Sequence, residues 1–201
     1  MNARKLGRPV GTGTNGRARY LTADELGAFF RAAKRAGNKW DLLFGLTFYY
    51  AMRVGEVVTL RITDVNMAAH QLTIRAEKGG NCRTYDLTER LEKKLKAWLK
   101  ERPEGNPYIF PSRTCPRTES LSTTGAQKTF YKLSKKAGIG AHSIHDIRHT
   151  TASMMAQNGD NIVQIARWLR QKHVQSAERY LSDMDREKHE RTMEQRASRF
   201  L

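Results

Sequence analysis

Arg53, His145, Arg148 and Tyr180 are the residue types needed to bind a phosphodiester and attack it at phosphorus. Arginine carries a planar, permanently charged fork that matches two phosphate oxygens. Tyrosine can act as a covalent nucleophile where the charge developing on phosphorus is stabilised. Arg53 sits in Met52-Arg53-Val54-Gly55-Glu56, and Tyr180 ends Glu178-Arg179-Tyr180. Between them lies the most informative stretch, His145-Asp146-Ile147-Arg148-His149. On a helix, His145 and Arg148 share a face, as do Arg53 and Glu56, so Glu56 can hold the Arg53 guanidinium in position.

Each piece has a plainer reading. Arg53–Glu56 taken alone is more often a surface or structural ion pair, and a lone Tyr180 is normally a half-buried packing residue. The histidine segment also imitates the zinc-protease H-E-x-x-H with Asp146 for glutamate, and His142 adds a third imidazole. Arg148 between the would-be ligands repels a dication, and no outlying carboxylate motif completes the site, so no metal is expected. Phosphodiester chemistry rests on all the elements occurring together and in this order.

The bulk composition supports a nucleic-acid substrate. Lys and Arg number 36 against 20 Asp and Glu, giving a formal net charge of +16 and a pI near 10.2. Charge of that sign supplies sequence-independent affinity for DNA through counterion release. No apolar run approaches the ~20 residues of a membrane span, and no signal-peptide pattern opens the chain. Cys82 and Cys115 stand in no metal-ligand or redox spacing, which fits a reducing cytoplasm. At 201 residues, 39% of them hydrophobic, one compact domain with a small appendage is expected.

The elements that must position these residues are legible in outline. Residues 1–19 read as a flexible basic arm holding Arg4, Lys5, Arg8, Arg17 and Arg19, with no acidic residue. Gly11-Thr12-Gly13-Thr14-Asn15-Gly16 matches a dinucleotide-binding pattern by letter, but Pro9 and the glycines break any preceding strand, so it reads as a loop. Gly7-Arg8-Pro9 resembles the core of minor-groove hook peptides; a solvated tail is the plain alternative. Thr22-Ala23-Asp24-Glu25 is a capping box, with Leu21 and Leu26 placed as its hydrophobic staple. Lys39 to Ala51 predicts a buried helix with Arg53 at its end. Gln71 to Ala76 alternates like a strand, Gly79-Gly80-Asn81 turns, and Arg83 to Leu87 returns. Helices are predicted at roughly 88–101, 123–137, 143–158, 161–169 and 174–181. The class is mainly α with a small antiparallel β-sheet.

With its motifs in this order, the chain resembles the catalytic domain of the tyrosine recombinases, the phage integrase family. Arg53-Val54-Gly55-Glu56 with Leu60 fits the family's first arginine segment, and Glu77-Lys78-Gly79-Gly80 followed by Arg83 fits its lysine hairpin. His145-Asp146-Ile147-Arg148-His149 fits the His-x-x-Arg segment, and Glu178-Arg179-Tyr180 fits the tyrosine segment. The resemblance covers residues 20–182, followed by a tail helix at 183–201. There are two departures. Where the family has a separate core-binding domain, only the short arm is expected, which resembles the single-domain recombinases that invert bacterial promoter switches. The family's Gly-His ahead of the tyrosine is Arg170-Gln171, with His173 two residues later.

The resemblance implies that Tyr180 attacks DNA to give a 3′-phosphotyrosyl bond, while Arg53 and Arg148 neutralise charge on the phosphate. Lys78 would protonate the leaving 5′-oxygen, and His145 would bind the phosphate and assist proton transfer at Tyr180. Gln171 would stand in for the family's histidine or tryptophan, with Glu56 and His149 in support. No cofactor is implied, because the covalent ester conserves bond energy. The implied partners are double-stranded DNA and three further copies of the chain, a homotetramer on paired sites, with accessory DNA-bending proteins possible. The tail would dock on a neighbouring protomer or stay solvated. A type IB topoisomerase, which uses nearly the same residues, and a regulator that binds DNA without cleaving it are the rival readings.

Overall fold

In this computed structural model the described residues are 20–76, 82–140, 142–178 and 180. Lys78 with the Gly79-Gly80-Asn81 turn, the arm at 1–19 and the tail helix at 183–201 lie outside them. The first helix, α1 (Ala23–Arg35), starts at the expected capping box. Thr22 Oγ1 accepts the Glu25 N–H at 3.3 Å, and the Glu25 carboxylate accepts the Thr22 N–H at 2.9 Å. Helix α2 (Asn38–Tyr49) is buried continuously from Asp41 to Thr47, as a helix apolar nearly all round must be. It ends two residues short of the expected Ala51, because Ala51 turns to φ 48° and an α-helix cannot continue through that conformation. A five-residue helix, α3 (Val54–Val58), follows with Arg53 as its N-cap; the sequence did not mark it.

Strands β1 (Val65–Asn66), β2 (Gln71–Ile74) and β3 (Arg83–Asp86) form an antiparallel sheet in that order. Leu72 pairs with Val65 on one side and Tyr85 on the other, and Leu72, Ile74 and Tyr85 are buried. The ladder stops at Ile74–Arg83, two residues short of the expected Ala76, and the two-residue β1 is an addition. The remaining helices are α4 (Glu89–Glu101), α5 (Thr123–Ala137), α6 (Ile144–Gln157) and α7 (Ile162–Trp168). Short 3-10 turns span Ile62–Asp64 and Val174–Ala177, the second replacing the start of the helix expected at 174–181.

Helix α2 is the hub, packing against α1, α3, α4 and α6. The main core is built around Phe29, Phe44 and Phe130, whose ring centroids lie 4.8–6.0 Å apart. A second, smaller core joins α6 to α7 through Ala152, Ala156, Ile165 and Leu169, and Tyr180 is part of it. The boundary between the two cores is where the chemistry-bearing residues meet.

Candidate active site

Helix ends leave backbone carbonyls without partners, and cations are stabilised there. Two such ends, those of α2 and α7, converge on Arg148, which projects from α6. Arg148 Nη1 donates to Ala51 O, and Nη2 donates to Leu169 O at 2.6 Å. The residue is only 6% exposed. Burial, and then the charges of Arg53 and Arg170, lower its pKa to about 9, so it stays a cation at neutral pH.

Arg53 lies nearby at the α2–α3 junction with its side chain one-third exposed. Glu56, buried on the next helical turn, receives the Arg53 Nη1 hydrogen at 2.8 Å on Oε1 and the Arg53 backbone N–H at 2.8 Å on Oε2. The same Oε2 also accepts from Arg170 Nη2 at 2.8 Å. Burial alone would raise the Glu56 pKa; Arg170 and Arg53 outweigh it and hold the carboxyl below its ordinary value. Arg53 and Arg170 thus share this carboxylate, and Arg148 feels its charge without bonding it, so three guanidiniums gather around one carboxylate and two positive charges are left over.

Tyr180 is 1% exposed, and its hydroxyl is 2.8 Å from Nδ1 of His149. In the Nε2–H tautomer, Nδ1 accepts the hydroxyl hydrogen. His149 follows Arg148 directly on α6, so one helix turn carries both the buried arginine and the partner of the Tyr180 hydroxyl. The resemblance implied that His145 assists proton transfer at Tyr180; His149, the neighbour of Arg148, also reaches the hydroxyl. His145 is exposed, one turn earlier on the same helix.

Gln171 is half-buried, and its Oε1 is buried without a hydrogen-bond partner; His173 is exposed as the N-cap of the second 3-10 turn. Lys78 and the arm residues Arg4, Lys5, Arg8, Arg17 and Arg19 fall outside the described residues. The sequence reading missed Arg170, which is buried against Glu56. Its signal was present as the departure from the Gly-His pattern. Among the described residues no three His, Cys, Asp or Glu side chains gather to hold a metal ion. No described helix is long and apolar enough to cross a membrane. A groove of about 1070 Å³ between α1, α2, α4 and α6, lined in part by Phe30, Tyr49 and Met154, contains none of the site residues.

Comparison with known proteins gives the family and the fold. Tyrosine recombinase XerA of Pyrococcus horikoshii is 31% identical over 142 residues, which cover 71% of this chain and 49% of that protein. The chain thus spans about half the length of the curated relatives it matches. The crystal structure of XerA recombinase superposes with a TM-score of 0.71 at 28% identity, covering 82% of this chain and 60% of that one. XerH site-specific recombinase bound to palindromic difH substrate, in a post-cleavage complex, shares the fold with a TM-score of 0.72 at 21% identity; 94% of this chain and 57% of that one are covered. The model of the phage integrase family matches residues 19–187, which take in the arginine, histidine and tyrosine segments alike, and the chain belongs to that family.

Proposed function

We propose that this chain is the catalytic part of a site-specific DNA recombinase that cleaves and rejoins DNA through a covalent bond on Tyr180. One observation carries the reading: a tyrosine hydroxyl held by His149 beside a cluster of arginines with two uncompensated positive charges. A phosphodiester carries one negative charge, and attack by a phenolate oxygen brings a second. The arginine cluster matches that developing charge, which preorganised donors stabilise strongly.

In this mechanism Tyr180 Oη attacks phosphorus and its proton passes to His149. The bond to the 5′-oxygen breaks, and Lys78, between β2 and β3 in sequence, supplies the proton for that oxygen. Arg53 and Arg148 bind the non-bridging oxygens, and exposed His145 and half-buried Gln171 add hydrogen bonds to the phosphate. Rejoining reverses these steps with a new 5′-hydroxyl. Because Tyr180 is buried, the segment from Gln171 to Tyr180 has to shift before the hydroxyl meets a duplex. Residues 20–182 would be the catalytic domain and 1–19 a DNA-binding arm, while 183–201 would contact a neighbouring copy in a tetramer on two paired sites.

The test is covalent capture. A pool of nicked duplexes, randomised around the nick, is incubated with the protein and denatured. The expected product is a DNA–protein adduct mapping to Tyr180, absent from Tyr180→Phe, whose DNA affinity is unchanged. An adduct that persists in the Phe variant, or none with the unaltered protein, rejects the reading. Relaxation of supercoiled DNA without pairing of two sites would reassign the chain as a topoisomerase.

A further inference from the structure

Arg170 stands where the family pattern has glycine, and its backbone keeps a glycine-like conformation at φ 54°. A side chain larger than hydrogen is disfavoured there. The side chain nevertheless makes five hydrogen bonds. Nη1 donates to Tyr50 O at 2.9 Å, Trp168 O at 3.1 Å and the Tyr85 hydroxyl at 2.8 Å. Nη2 donates to Ala51 O at 3.1 Å and Glu56 Oε2 at 2.8 Å. With its side chain 1% exposed, Arg170 cannot touch DNA itself.

What it holds is the machinery. Glu56 holds Arg53 by both its side chain and its backbone N–H. The Ala51 carbonyl receives Arg148 as well as Arg170. Tyr85 is on β3, the strand that follows the Lys78 segment, and its own hydroxyl donates to Trp168 O at 2.9 Å. Gln171 is the next residue along the backbone. We propose that Arg170 is a positioning residue for strand transfer. Through Glu56 and the Ala51 carbonyl it sets Arg53 and Arg148 relative to each other, and through Tyr85 it ties β3 to both. The proposal rests on the recombinase reading above.

The experiment uses the duplex recovered by covalent capture, made with either the ordinary scissile phosphate or a neutral methylphosphonate at that position. Replacing a charged oxygen by methyl removes much of the need for a well-placed Arg53. Single-turnover adduct formation is measured for the unaltered protein, Arg170→Gly and Arg170→Lys, alongside thermal melting. On phosphate, Arg170→Gly is expected to be at least about tenfold slow, since small misplacements of catalytic groups cost up to ~100-fold. Arg170→Lys, which keeps the charge but loses the fork, should recover part of that rate. On methylphosphonate both should come within about threefold of the unaltered protein, because the misplaced charge matters less there. Equal defects on the two substrates, an Arg170→Gly variant as fast as the unaltered protein, or variants that do not fold would each overturn the positioning role. If the unaltered protein forms no adduct on any duplex, the recombinase reading falls and this inference falls with it. Adduct formation with no substrate-dependent Arg170 effect removes the inference alone.

Discussion

A guanidinium buried on carbonyl oxygens is fixed in direction as well as in place, because its planar fork has few ways to satisfy two acceptors at once. Arg148, on Ala51 O and Leu169 O, is such a group, whereas one-third-exposed Arg53 depends on Glu56 for its orientation. Gln171 is placed differently again. A buried amide oxygen without a partner is costly unless something arrives to meet the amide, and rotating the amide would offer its NH₂ instead. A DNA phosphate oxygen would accept from that NH₂. Gln171→Ala is therefore expected to slow single-turnover cleavage by about tenfold, the worth of one good hydrogen bond. Gln171→His should maintain or raise the rate, and exposed His173→Ala should leave it unchanged. A large loss at His173 with none at Gln171 would transfer the role to His173.

At the scale of elements, α6 carries His145, Arg148 and His149, so its placement decides the geometry of the site. Two devices root it. Its N-terminal capping box joins Ser143 to Asp146, whose carboxylate accepts the Ser143 N–H at 2.9 Å. His142, just before that cap, lies between Asp146 at 3.4 Å and Glu25 of the α1 cap at 3.3 Å. One imidazolium thus ties the start of α1 to the start of α6. The Asp146 carboxylate, 3.4 Å from Nδ1, raises the His142 pKa above 6.5; burial opposes this and Glu25 assists. Stabilisation from a raised pKa is fully present below the unfolded value of 6.5 and fades as pH rises through the folded one. His142→Gln is expected to cost about 1–2 kcal/mol below pH ~6 and progressively less at higher pH. Urea unfolding from pH ~5.5 to ~8.5 checks it; a cost independent of pH would show that packing, not the imidazolium, is what His142 supplies.

Across the whole molecule, the first described residues are anchored on α6, the helix that carries His145, Arg148 and His149. Leu21 is buried, and its N–H donates to Thr150 Oγ1 on α6 at 2.9 Å, only two residues after the arm. The five cations at 1–19 belong to a chain whose net charge is +16. Deleting 1–19 is expected to weaken DNA binding and to reduce the salt slope by up to ~0.9 for each phosphate the arm no longer neutralises. Single-turnover cleavage at saturating DNA should survive. Measured affinity against salt concentration checks this, and an unchanged slope would make the arm a passenger.

Local chemistry determined what the sequence alone could tell. The cap at Thr22 and Glu25 and the helix at Thr123–Ala137, bounded by Ser122 and by Gly138 at φ 68°, are set by residues within a few positions of each other. The arginine, histidine and tyrosine segments were legible because their chemistry is rare in combination. What only the tertiary structure decided involves partners far apart in the chain. Glu56 and Arg170 are separated by 114 positions, and nothing local marks an arginine after α7 as buried. The meeting of His149 with Tyr180 spans 31 positions and depends on how α6 and α7 pack through their alanines. The left-handed turn at Ala51, which presents its carbonyl to two arginines, shortens α2 against its own propensity. A helix cap needs one turn of chain to exist. A site between two cores exists only once both have formed.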